Sequence, residues 1–252
     1  MPDVGRVVAR IRYELGNGWR LLSSPWLQDQ VSIHECRSLF AASFGSPGWH
    51  HIRATLMEFD ANPRIDYRDT SLYAFLTAFC PRSISEFADT AGDEPLPLFV
   101  YPWGTFRKGE DVSLKNPSTS RFCGPSTDRF VAEEFDRIIA LYRQLRSDGY
   151  RPYRYPHSFI GGTWLQASNG TRRFVVLQGN HRLAILAHLG VERVAVRPLR
   201  GWLSVVREAD INEWPLVKSG RCSLVHARSV FALFFQRDGS HLKRLLTGGP
   251  AL

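Results

Sequence analysis

Val176-Leu-Gln-Gly-Asn-His-Arg-Leu-Ala-Ile-Leu-Ala-His-Leu-Gly-Val-Glu-Arg-Val-Ala-Val196 is the stretch whose reading decides the fold. The chain enters it through a continuous apolar run, Arg173-Phe-Val-Val-Leu177, the pattern of a buried strand. Gln178-Gly179-Asn180 is turn chemistry, and His181 to Leu189 reads as a helix that stops at Gly190. Val191 to Arg197 is the next strand. Strand, glycine turn, helix, glycine stop and strand together predict a compact β-α-β unit.

A junction of this kind has a chemistry of its own. The first backbone N–H groups of a helix lack partners inside it and carry the positive end of the dipole. A glycine just before them lets a ligand approach the main chain closely. The combination is an anion seat suited to phosphate. Gly179 supplies the access, Arg182 a bidentate clamp, and His181 a hydrogen bond or a proton near neutral pH. Two better-known phosphate loops are excluded. No G-x-x-x-x-G-K-[ST] occurs, and the second and third glycines of a dinucleotide fingerprint are missing. Many β-α-β turns bear a glycine and bind nothing, so the turn alone leaves that possibility open.

Upstream, Ser113 to Pro125 is a loop, and Thr127 or Asp128 caps a helix that stops at Asp148-Gly149. Its expected apolar face is Phe130, Phe135, Ile138, Ile139, Tyr142 and Leu145, with Glu133 and Glu134 near its start. Extended pieces follow at Ser158–Ile160 and Thr163–Ala167, separated by a Gly161-Gly162 break. Asn169-Gly170 is a strong hairpin turn. Before residue 90, Val7, Ile11 and Leu15 form one helical stripe and Leu72, Phe75, Leu76 and Phe79 another. A breaker-rich loop at Ala91-Gly-Asp-Glu-Pro-Leu-Pro and a short extended Leu96–Tyr101 come next. After residue 200 the expectation is a strand at Trp202–Val206, a turn-rich Glu213–Cys222 and an apolar helix at Val225–Arg237.

Bulk composition bounds the partners. The 252 residues, 44% hydrophobic and 22% charged, are ordinary globular values. No apolar run approaches the roughly 18–20 residues that span a bilayer, and the amino end lacks a secretory pattern, so a cytoplasmic chain without a membrane partner is expected. Thirty-two Lys plus Arg against 24 Asp plus Glu leave +8, and arginine far outnumbers lysine. That balance suits nucleic acid, nucleotides or phosphorylated small molecules, although a solvated basic surface satisfies the same arithmetic. The basic residues are dispersed, with no run that would mark a nucleic-acid tail. Cys36, Cys80, Cys123 and Cys222 form no C-x-x-C pair, which argues against a zinc ribbon or a thioredoxin-type site.

The 176–196 stretch resembles the core motif of the ParB/sulfiredoxin-like superfamily, in which a strand meets a Gly-x-x-Arg or Gly-x-His-Arg turn and a helix. The flanking order agrees: a loop with Ser120 and Arg121, an amphipathic helix, a Gly149 stop and two strands precede the motif. The resemblance covers roughly residues 110–200 and implies an α+β fold with a mixed sheet. It divides the chain into an N-terminal, mostly helical extension (1–95), a nucleotide-binding core (96–200) and a C-terminal extension packing on it (201–252). It also implies a nucleoside triphosphate, ATP or CTP, with Mg2+. Its phosphates would lie on Gln178, Gly179, Asn180, His181 and Arg182, with Ser120 and Arg121 joining from the upstream loop. Departures sort the branches. Sulfiredoxins carry a cysteine where Asn180 stands, and the free-serine kinases carry an acid where Gln178 stands. The partition proteins follow with a helix-turn-helix domain, for which the tail after residue 200 is too short.

These features together favour a nucleotide-dependent phosphotransferase acting on a small-molecule or sugar-like hydroxyl. His181, Arg182 and Glu134 are the catalytic candidates, and His157 and Arg221 are candidates for holding the acceptor. The alternative is a nucleotide-sensing or nucleic-acid-binding module without turnover. No metal-ligand set is legible. His50-His51 point to different sides of either a strand or a helix, so one metal is not expected to take both. Hydrolase and metalloprotease signatures are missing from the sequence.

Overall fold

The computed structural model describes residues 29–84, 86, 96–104, 120–152, 159–199 and 202–247. Strands β1 (Asp29–Ser32) and β2 (Cys36–Arg37) flank one 3-10 turn, and helices α1 (His51–Ala61) and α2 (Ser71–Ala78) follow. The long α3 (Asp128–Asp148) leads to β3 (Ile160–Gln166) and β4 (Arg172–Gln178), then to α4 (Asn180–His188), β5 (Arg193–Pro198) and β6 (Val205–Arg207). Helices α5 (Pro215–Lys218), α6 (Leu224–Gln236) and α7 (Ser240–Leu246) complete the described elements. Helices with a mixed sheet make this an α+β protein.

The sheet order is β1-β5-β3-β4-β2, with β6 also paired to β3. The β3–β4 hairpin turns at the expected place. Gly170 takes φ +84°, and Thr171 N donates to Asn169 Oδ1 at 2.9 Å. Gly161-Gly162 is not a break. β3 runs straight through it with a bulge in its register against β4. A Cβ on Gly162 would meet the Val175 carbonyl oxygen and the Phe174 ring, so glycine there permits close strand approach rather than ending the strand.

The motif is also not a parallel β-α-β unit. β4 is antiparallel to β3 while β5 is parallel to β3, so β4 and β5 oppose one another with β3 between them. The hairpin already occupies one side of β3, and the chain leaving α4 pairs with its other side. Residues 29–37 then extend both flanks, β1 antiparallel to β5 and β2 parallel to β4. Leu96–Tyr101 forms only isolated bridges, Ser83 with Pro97 and Tyr101 with Gly104. The Val7–Leu15 stripe lies outside the described residues, as does most of the 91–97 loop.

Helix α3 starts as expected, with the Thr127 hydroxyl accepting from Phe130 N at 3.3 Å. Its buried face is Val131, Glu134, Ile138, Ile139, Tyr142 and Leu145, while Phe130 and Phe135 are only half-buried. An acid therefore occupies an apolar-stripe position. In α2, Leu72, Phe75 and Leu76 are buried and Thr70 caps the start. Helix α1 packs on α4 and α2. Among the described residues no helix is long and apolar enough to cross a membrane.

Candidate functional site

The site begins at the end of β4. Gly179 adopts φ +94°, a left-handed conformation that glycine enters without steric penalty, and caps α4 with no side-chain hydrogen bond. The first intrahelical bond is Leu183 N to Gly179 O at 2.9 Å, so the N–H groups of Asn180, His181 and Arg182 have no partner within the helix. Side chains on a helix tilt toward its N-terminus, which brings those of His181 and Arg182 to the same end.

This end opens into a cavity of about 400 Å³, within the size range of small-molecule sites. Gln178, Gly179, Asn180, His181 and Arg182 all line it, and the loop before α3 adds Arg121 and Phe122. Apolar wall comes from Leu39, Phe40, Leu141, Leu177 and Leu242. Among the described residues no Asp or Glu lines it, and the permanent charges they bring to it are Arg121 and Arg182. Burial draws the Arg182 guanidinium below its usual range, with Tyr150 acting in the opposite sense.

Behind the cavity lies Glu134, 1% exposed. His181 Nε2 sits 2.8 Å from its Oε1 and Arg121 Nε 3.4 Å from the same oxygen. Arg137 Nη1 donates to Oε2 at 2.7 Å. Burial by itself would push this carboxyl up, but the His181 bond and the charges of His181, Arg121 and Arg137 prevail and hold it below the ordinary value. Glu134 is thus a buried carboxylate that orients one histidine and anchors one cavity arginine.

Sequence reasoning missed the other half of the wall. His50 caps α1, its Nδ1 accepting from Ile52 N at 3.3 Å, and His51 is the first helical residue. Their rings do not diverge. They stack at 4.5 Å, and the ladder extends to Phe44 on one side and Phe75 on the other. Both line the cavity with Phe75. Burial, then the charges of His181 and Arg53, pushes His50 down to about 3, and burial with His50 and His181 holds His51 well below its usual value. The Trp49-His50-His51 doublet was a visible signal, but only the packing of α1 against α4 reveals what it faces.

The remaining candidates stand elsewhere. Ser120 is buried, its hydroxyl accepting from Phe122 N at 3.2 Å and its carbonyl accepting from Ser126 Oγ at 3.1 Å; it holds the loop shape and is not a lining residue. Arg221 is exposed on the turn after α5 and does not line the cavity. His157 lies outside the described residues. Among the described residues no three His, Cys, Asp or Glu side chains converge as a metal cluster would require. Open helix N–H groups and two arginines fit the phosphates of a nucleotide. The described residues offer no carboxylate set for Mg2+, and Glu134 is already taken by three cationic or hydrogen-bonding partners.

No protein-family model matches the chain, and no curated protein matches it.

Proposed function

We propose that the chain is a nucleotide-dependent phosphotransferase with a ParB/sulfiredoxin-like core, acting on a small hydroxyl-bearing acceptor. The observation that carries this reading is the uncapped N-terminus of α4 opening, with Arg182 and Arg121, into a cavity that no carboxylate among the described residues lines. Backbone N–H groups of Asn180, His181 and Arg182 would hold a phosphate, and the two guanidinium groups would neutralise it. Phosphoryl transfer asks a protein mainly for positioning and charge neutralisation, which this set provides. A bound Mg2+ would supply further neutralisation between phosphate oxygens; the described residues do not build it a site, so it contributes no step here. The mixed sheet, the Gly179 turn and the preceding α3 support the ParB/sulfiredoxin-like architecture.

Calorimetric titration with ATP, CTP, GTP and UTP tests the reading. At least one should bind. Arg182→Ala should weaken it by about 1.5–3 kcal/mol, roughly ten- to hundredfold, the worth of a charge-assisted contact. Absence of binding by a folded protein overturns the proposal. Binding without transfer to any hydroxyl acceptor would convert it into the sensing reading.

A further inference from the structure

We propose, building on the nucleotide reading above, that phosphoryl transfer at this site proceeds through a covalent intermediate on His181 Nδ1. The geometry carries the argument. His181 commits Nε2 to Glu134 at 2.8 Å. That leaves Nδ1, the ring nitrogen nearer its own main chain, for a phosphate held at the uncapped turn, since His181 lines the cavity into which that turn opens. An imidazole whose far nitrogen stands against a buried carboxylate has a counter-charge already in place for the positive charge that nucleophilic attack creates on the ring.

The electrostatics suit the same step. As Nδ1 attacks the terminal phosphorus of ATP, the N–P bond forms, the bond from phosphorus to the bridging oxygen breaks, and ADP leaves with that electron pair. The ring keeps its Nε2 proton and becomes an imidazolium. Its new positive charge develops beside the carboxylate of Glu134, which is already in place and 1% exposed. Arg121 and Arg182 face the phosphoryl oxygens from the cavity lining. In the second half an acceptor hydroxyl oxygen attacks phosphorus, the P–N pair returns to Nδ1, and the hydroxyl proton goes to water. His50 and His51 also border the cavity, but they are stacked between Phe44 and Phe75, and among the described residues no Asp or Glu lines the cavity beside them. Glu134 acts through His181 and is a positioning residue.

The test uses the full chain with γ-labelled ATP and no acceptor, quenched in alkali. The expected result is a base-stable, acid-labile phosphoryl group mapped to residue 181, together with exchange of labelled ADP into ATP. His181→Asn should abolish both while the variant, checked by its thermal melt, still binds ATP by calorimetry. Glu134→Gln should lower the labelling rate at least about tenfold, well beyond whatever ATP affinity is lost through a loosened Arg121, and a loss of labelling no larger than the loss of affinity would make Glu134 purely structural. ATP binding with neither label nor exchange overturns the covalent route and leaves the nucleotide reading standing. Label that survives in His181→Asn also overturns it. Failure of ATP to bind at all removes the nucleotide reading and this inference with it.

Discussion

Helix α4 carries a histidine–carboxylate pair at each end, and the two ends behave differently. His181 and His188 stand seven residues apart and therefore share a helix face. Each places Nε2 2.8 Å from a carboxylate oxygen. At the start of the helix the carboxylate is Glu134, buried and reached by two arginines, and the ring borders a cavity. At the far end it is Asp60, 43% exposed, which also accepts from the Tyr142 hydroxyl at 2.9 Å. That second pair ties α1, α3 and α4 together and does not line the cavity at the start of α4. The same two side-chain types thus make a clamp at one end and a candidate site at the other. What separates them is the open backbone of the first turn and the space in front of it, not the pairing.

Acidification should have the largest effect and should strike the two ends in order. His50 and His51 stay neutral in the folded chain, with His50 pushed down to about 3. An unfolded histidine protonates near 6.5. Below that pH the unfolded chain binds protons that the native one refuses, so stability falls as pH drops, by about 1.4 kcal/mol per pH unit for each such histidine. Asp60 is held below its ordinary value; burial opposes this, and the His188 and Tyr142 hydrogen bonds prevail. Its contribution is present above the carboxylate range and is lost only as pH falls through it. Native-state hydrogen exchange between pH 7.5 and 5 should therefore show the starts of α1 and α4 opening before the His188 end. The reverse order would break the comparison.

Removing each carboxylate comes next. Glu134→Ala leaves three partners around an empty buried position and should cost about 3 kcal/mol in urea unfolding. A loss near zero would mean that His181 and the arginines relax into solvent, and Glu134 would not be the anchor described.

A smaller effect is expected at the turn itself. Gly179→Ala places a side chain at φ +94° with its Cβ 3.2 Å from Ile160 Cγ1. The left-handed conformation should cost about 1–2 kcal/mol and weaken the nucleotide binding proposed above, while the Asp60–His188 end keeps its exchange protection. The smallest change belongs to Asp60→Asn, expected within about 1 kcal/mol because the pair is partly exposed. A penalty as large as that of Glu134→Ala would erase the distinction between clamp and site.

Much of this was readable locally. The Thr127 cap, the Asn169-Gly170 turn, the strand into Gly179 and the helix after it depend on residues within a few positions of one another, and short-range sterics and hydrogen bonding decide them. Glu134 was legible as a helix-start acid but not as a buried one. Nothing within its own helix distinguishes it from Glu133, which pairs with Arg129 at 2.9 Å on the exposed face. The Gly161-Gly162 pair misled because a glycine needed for strand contact and one that ends a strand look alike in sequence. His50 and His51 read as divergent because an N-cap residue is extended and does not follow helix geometry.

The sequence by itself determined the turn at the head of α4: a glycine able to take positive φ, followed by a helix with His181 and Arg182 in its first turn. Those are properties of backbone torsions and adjacent side chains. Tertiary structure alone decided what that turn faces. It set β3 between β4 and β5, buried Glu134 behind His181, and brought the ring ladder of α1 and α2 and the Arg121 loop around one cavity. Apart from the β3–β4 hairpin and the Arg121–Glu134 pair, those contacts join residues tens of positions apart, and burial, which arises only when such segments pack, is what turns a carboxylate, two arginines and three histidines into one electrostatic unit.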